Sequence, residues 1–282
     1  PFNDGNTPYG LKTVGGYHAA KMRRYQQFAD VHLLNPANKY RFHKNDSMAQ
    51  RMLQQIPSRA LTPLDITPAA LKMLNMKYII HQQAYARVPM RGIRLAKRAG
   101  QEAILRNERN LGPAWIAPNV KTLPRPDDVL KEIYTLKPSQ TALIEASQAD
   151  KLREHSSAPV AASEYVRLLS HNNRVMHYEL NLKQPRFVVF SEVYYPHGWT
   201  AYLDCEQAVP VDNAFPDCPK TLPILQTNFI LRGAVVPAGK HTLTMRFDPD
   251  VILRTGKSIS LASSILFVLV VLGLGYWEYR TR

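Results

Sequence analysis

Nineteen consecutive residues without a charge, Ile259 to Trp277 (ISLASSILFVLVVLGLGYW), constrain this chain more than any other stretch. That is about the length needed to cross a hydrocarbon core of ~30 Å. Tyr276, Trp277 and Tyr279 stand at its end, where amphipathic rings settle at a membrane interface, and Arg280 and Arg282 follow. The pattern predicts a transmembrane helix over 257–279, a buried core helix being the alternative. Orientation does not follow from charge, because Arg254 and Lys257 balance the two terminal arginines.

The cysteines supply it. Cys205 and Cys218 are the two in the chain, and they bracket one Pro-containing insertion, CEQAVPVDNAFPDC. A bridge there would close a loop worth roughly 3 kcal/mol in the chain-entropy model, and such bridges persist in oxidising compartments. The alternatives are two unrelated thiols or a zinc site, and no second ligand pair has finger spacing. The disulfide reading puts the body of the chain outside the cytoplasm and the C-terminal arginines inside it. A formal net charge of +14 points to anionic partners. With a membrane anchor and a disulfide, those partners are membrane lipids rather than nucleic acid. The opening Pro1-Phe2-Asn3-Asp4, with no Met and no signal peptide, reads as a fragment or a processed chain.

Two further regions precede the apolar run. Residues 1–150 mix helical patterns (17–28, 48–56, 68–75 and RPDDVLKEIYTL) with short strand-like runs (KYII, AILRN, AWIAP, TALIEAS), an α+β extracytoplasmic domain. Over 151–252, six β-like runs are punctuated by HNN, PHG and PAGK, which suggests a β-sandwich. The expected fold class is therefore an α+β extracytoplasmic region, a β-sandwich and one C-terminal transmembrane helix.

Ser191–Asp204, SEVYYPHGWTAYLD, ends a β-like run in an aromatic corner. Three readings stay open: a core plug built on Trp199 and Tyr195, a glycan-stacking surface of Tyr194, His197 and Tyr202, or a membrane-facing edge. In GGYHAAKMRRY, His18, Lys21 and Arg24 fall in the first turns of a helix, suited to the phosphate of a lipid carrier or to a solvated basic face. Residues 87–109 hold seven Lys/Arg against two Glu, a basic stretch for anionic headgroups. Glu192 and Asp204 are carboxylates that nothing in the sequence pairs. Zinc, phosphate-loop and nucleophile-elbow motifs are absent from the sequence, and no cofactor is expected.

Several blocks resemble the YfhO family of bacterial polytopic membrane proteins. They are Tyr194-Tyr195-Pro196 with Gly198-Trp199, Ala201-Tyr202 with Asp204, Asn228 with Leu231-Arg232, and Val236-Pro237-Ala238-Gly239 with His241. PFND at 1–4, GGYHAAKMRRY at 15–25, LKMLNMKYII at 71–80 and LGPAWIA at 111–117 extend the likeness. Cys205 stands where the family tends to have Gly, and Pro113 where Asn is commoner. The family resembles GT-C glycosyltransferases, whose catalytic acid lies in an early loop outside these residues. The resemblance therefore implies a part that assists sugar transfer from a polyprenyl-phosphate donor to a cell-envelope acceptor. A non-catalytic, single-helix accessory subunit that braces other subunits of a membrane complex is the alternative.

Overall fold

The computed structural model describes residues 22–33, 66–81, 92–100, 102–205, 220–248 and 250–281. Its centre is a six-stranded sheet of β4 (Ala114–Ala117), β5 (Asn119–Leu123), β6 (Thr141–Glu145), β9 (Arg186–Val193), β12 (Leu225–Thr227) and β13 (Leu231–Val236), in the order β4-β9-β13-β12-β6-β5. The sequence dictates this central place. All six residues of β13 and the first five of β9 are buried, as a strand covered on both faces demands.

One face of that sheet packs on a five-stranded sheet of β7 (Tyr165–His171), β8 (Val175–Leu182), β10 (Trp199–Leu203), β11 (Thr221–Leu222) and β14 (Gly239–Phe247), in the order β11-β10-β14-β8-β7. β8 shows the period-2 rule: Met176, Tyr178, Leu180 and Leu182 enter the shared core, and His177, Glu179 and Asn181 alternate with them. Val188 and Phe190 meet them from β9, Ala234 and Val236 from β13. The other face carries α1 (Arg23–His32), α2 (Pro68–Met73) and α3 (Pro126–Glu132), which bury Phe28, Leu71, Met73 and Leu130 with Phe187, Val189 and Leu231. Pro126 at the first turn of α3, followed by Asp127 and Asp128, suits a helix start. A separate three-stranded sheet holds β1 (Tyr78–His81), β2 (Ile93–Ala99) and β3 (Glu102–Asn107), with β3 in the middle.

The expected fold class is corrected in two respects. The described residues are mostly β, in three sheets, rather than an α+β region followed by a sandwich. β4, β5 and β6 join the sheet of β9, β12 and β13, so strands from both sides of residue 150 share one layer. The physical reason is that β9 and β13 are apolar on both faces, and three short helices of the first half cover the second face. Next, α4 (Asp250–Thr281) forms where the apolar run predicts a helix, but among the described residues no helix is long and apolar enough to cross a membrane. Its side chains are described without a break over 258–274. Those side chains are exposed, Leu266, Phe267, Leu269 and Leu272 among them.

Cys205 is disulfide-bonded and no described cysteine is free. Its expected partner Cys218 lies outside the described residues, as do the helix expected at 48–56 and residues 17–21 of the one expected at 17–28, the rest of which falls on α1.

Candidate functional site

The aromatic corner is where the chain leaves one sheet for the other. β9 ends at Val193 in the six-stranded sheet, and β10 begins at Trp199 in the five-stranded one. Gly198 makes the crossing at φ +76, and a Cβ there would lie 2.7 Å from the Asp248 carbonyl and 2.8 Å from the Phe247 ring. Only glycine meets both demands. Trp199 then closes the end of the inter-sheet core. The Arg232 guanidinium lies 3.7 Å from its ring centroid, and Phe247 is tilted against it at 5.3 Å. Tyr195 packs edge-on against Phe247 at 6.4 Å and against His197 at 5.7 Å.

Strand alternation puts charge into that end of the core. Arg232 shares its face of β13 with Ala234 and Val236, and Glu192 shares its face of β9 with Val188 and Phe190. Arg232 is 4% exposed; its Nε donates to the Val193 carbonyl at 3.0 Å, and its Nη1 is buried without a hydrogen-bond partner. Burial lowers its pKa to about 10, opposed by the nearby Glu192 carboxylate and the Tyr178 phenol, so it remains a cation at neutral pH. Burial raises the Tyr178 phenol, with the Glu192 charge adding to the effect. Across the sandwich, His171 at the end of β7 brings Nε2 to 3.6 Å from Glu192 Oε1. The His171 and Glu192 side chains are 23% and 29% exposed, so they form the open side of the cluster and Arg232 its buried side. A carboxylate, an imidazole and an under-used guanidinium can together accept from hydroxyls and donate to an anionic oxygen.

The residues singled out in the sequence do not converge here. His18 and Lys21 lie outside the described residues. Arg24 is on α1, forked onto Glu145 of β6 through Nη1 to Oε1 and, at 3.2 Å, Nη2 to Oε2. It also lies over the Phe229 ring at 5.3 Å. Tyr194 is half-buried near this pair, and burial raises its phenol pKa. His197 is exposed at the turn, and Tyr202 is 8% exposed. Ala201 and Leu203 enter the inter-sheet core, so alternation puts Tyr202 on the far face of its sheet. Asp204 also finds a partner: its Oδ2 is 2.7 Å from His241 Nδ1, and its Oδ1 accepts from the Thr242 amide at 3.0 Å. The cluster residues that pattern reading missed carried one usable signal, since Glu192 and Arg232 each occupy the apolar register of a strand.

Among the described residues, no group of three or more His, Cys, Asp or Glu is placed to hold a metal. No family model, curated protein or solved structure matches the chain.

Proposed function

We propose that this chain is a ligand-positioning β-sandwich module of an envelope sugar-transfer apparatus, acting at the outer face of a bacterial cytoplasmic membrane. The likeness to the YfhO family supplies the context, and the Glu192–His171–Arg232 cluster carries the reading. Leaving a buried donor unsatisfied costs about 1–3 kcal/mol, and an apolar side chain would fill the same space at less cost. Charged groups kept in such a place are functional-site candidates. A phosphorylated glycan suits them: its hydroxyls donate to Glu192 and His171, and its anionic oxygen accepts from Arg232. The chemistry of transfer belongs to a partner or to another part of the protein.

The test is calorimetric titration of the detergent-solubilised chain with a short-chain polyprenyl-phosphate sugar and with short envelope oligosaccharides. Glu192→Gln and His171→Ala should each weaken binding about tenfold, the scale of one charge-assisted contact of ~1.5–3 kcal/mol. If the wild type binds neither probe, or both variants bind as tightly as it does, the positioning role is wrong. The bracing role of an accessory subunit, favoured by the exposed apolar α4, then takes its place.

A further inference from the structure

The three-stranded sheet buries one face and leaves the other open. Ala103, Leu105 and Asn107 of β3 point inward and are nearly inaccessible, and Asn107 Nδ2 donates to the Leu71 and Met76 carbonyls at 2.7 and 2.9 Å. The alternate positions therefore face outward. The register arranges them in two rows across the strands: Tyr78–Arg106–Arg94, and Ile80–Ile104–Lys97. Each row runs from an apolar side chain on β1 to a basic one on β2. Tyr78 is 53% and Ile80 57% exposed, an unusual amount for large apolar residues on a paired strand. The Lys77 ammonium lies 5.8 Å from the Tyr78 ring centroid and adds charge beside the apolar end.

The charge on this sheet is out of balance. Residues 92–109 hold Arg94, Lys97, Arg98, Arg106 and Arg109 against Glu102 and Glu108. Arg94 pairs with Glu108 at 3.1 Å, but Lys97 and Arg106 have no ion pair among the described residues. Arg94 and Arg106 stand directly opposite each other, which destabilises an isolated pair of strands. Like charges so placed suit a multivalent anion lying across both.

We propose that the outer face of the β1–β3–β2 sheet docks onto an anionic phospholipid surface. Tyr78, Ile80 and Ile104 enter the headgroup boundary, and Lys77, Arg94, Lys97 and Arg106 meet the phosphates. Aliphatic side chains at the apolar end fit lipid better than a nucleic acid, whose bases would require stacking rings. This surface is separate from the sandwich end, so it stands or falls independently of the ligand reading there.

Vesicle binding by the full chain tests it. Because α4 brings the same apolar contribution to every membrane, the informative quantity is the ratio of partition coefficients between two vesicle compositions. Vesicles with about 30 mol% phosphatidylglycerol should be preferred to pure phosphatidylcholine, and the preference should shrink at high salt. Lys97→Gln with Arg106→Gln should lower that ratio about 30-fold, from about a fivefold loss at each basic group. Tyr78→Ser with Ile80→Ser should weaken binding to both compositions several-fold and leave the ratio as it is. Both pairs are exposed, and an unchanged melting curve will show that they fold. A double-Gln variant with the wild-type ratio overturns the proposal. So does an RNA oligomer that binds the wild type, displaces it from the anionic vesicles and fails to bind the variant.

Discussion

Single residues in this chain carry charge into places where apolar atoms would pack, and the two clearest cases resolve it differently. Arg186 and Glu164 are buried together, and every donor has a partner. Arg186 gives Nε and Nη2 to the Glu164 carboxylate at 2.9 and 2.7 Å, and its remaining N–H groups reach the Ser156, Ala158 and Pro159 carbonyls. Glu164 in turn accepts from the Ala161 and Lys183 amides. The Arg186 bond, supported by these amides, lowers the Glu164 pKa to about 2. A depressed folded-state pKa stabilises the fold above the unfolded value, near 4.5, and that contribution fades as pH falls towards 2. The melting temperature should therefore drop across this window in the wild type. Glu164→Gln should be less stable at pH 7, by about 3–5 kcal/mol for a broken buried pair, and should lose stability less steeply than the wild type from pH 4.5 to 2. Parallel acid profiles for the two proteins would contradict this. Arg232 is the opposite case, with one nitrogen left unsatisfied beside an open cluster.

At the scale of elements, the β12–β13 hairpin shows how one side chain stands in for a strand. Asn228 donates its backbone N–H to the Leu143 carbonyl at 2.8 Å, and its side-chain Oδ1 accepts from the Leu143 amide at 2.8 Å. It thereby extends the join between β12 and β6, which otherwise pair at Thr227–Ile144. Asn228 and Phe229 adopt φ 48 and 72 to make the turn. Asn228→Ala removes the Oδ1 acceptor and leaves the buried Leu143 amide without a partner, so it should cost about 1–3 kcal/mol, read as a lower denaturant midpoint at unchanged slope. An unchanged midpoint would mean that Asn228 is not the join between the strands. The six β-like runs after residue 160 were legible because alternation and turn residues coincide, as in β8 and the PAGK turn before β14. The sheet β1–β3–β2 was legible only in part. KYII and AILRN read as strands, but the many Lys and Arg of β2 masked its pairing, so it read only as part of a basic stretch. The parallel pairing of β5 and β6 was hidden too, since α3 and its turns separate partners such as Val120 and Ala142. A sequence boundary at 150 followed a change of composition, and the six-stranded sheet crosses it because pairing depends on covered faces rather than on chain order. The site was the least legible part: His171 and Glu192 stand in different sheets, and only packing brings them within 3.6 Å.

For the whole molecule, these parts give a three-layer body whose two proposed working surfaces use different strands, one at the end of the sandwich and one on the small basic sheet. No described side chain of α4 enters either large buried core, so the apolar surface over 258–274 needs a partner outside the described residues. The central claim is that the sandwich end keeps charge for a ligand and not for the fold, and Arg232→Met tests it most directly. Methionine can fill the space against Trp199 without the unsatisfied nitrogen. Removing one partner of a fully buried ion pair is costly, but Glu192 is part-exposed and stays hydrated, so an apolar side chain that fills the space offsets the lost Arg232 contacts. The decisive measurement pairs the melting temperature of Arg232→Met with its affinity for the short-chain polyprenyl-phosphate sugar. The account predicts an equal or higher melting temperature and an affinity reduced at least about tenfold. A variant that loses several kcal/mol of stability (~3 or more) yet binds the sugar as the wild type does would contradict it.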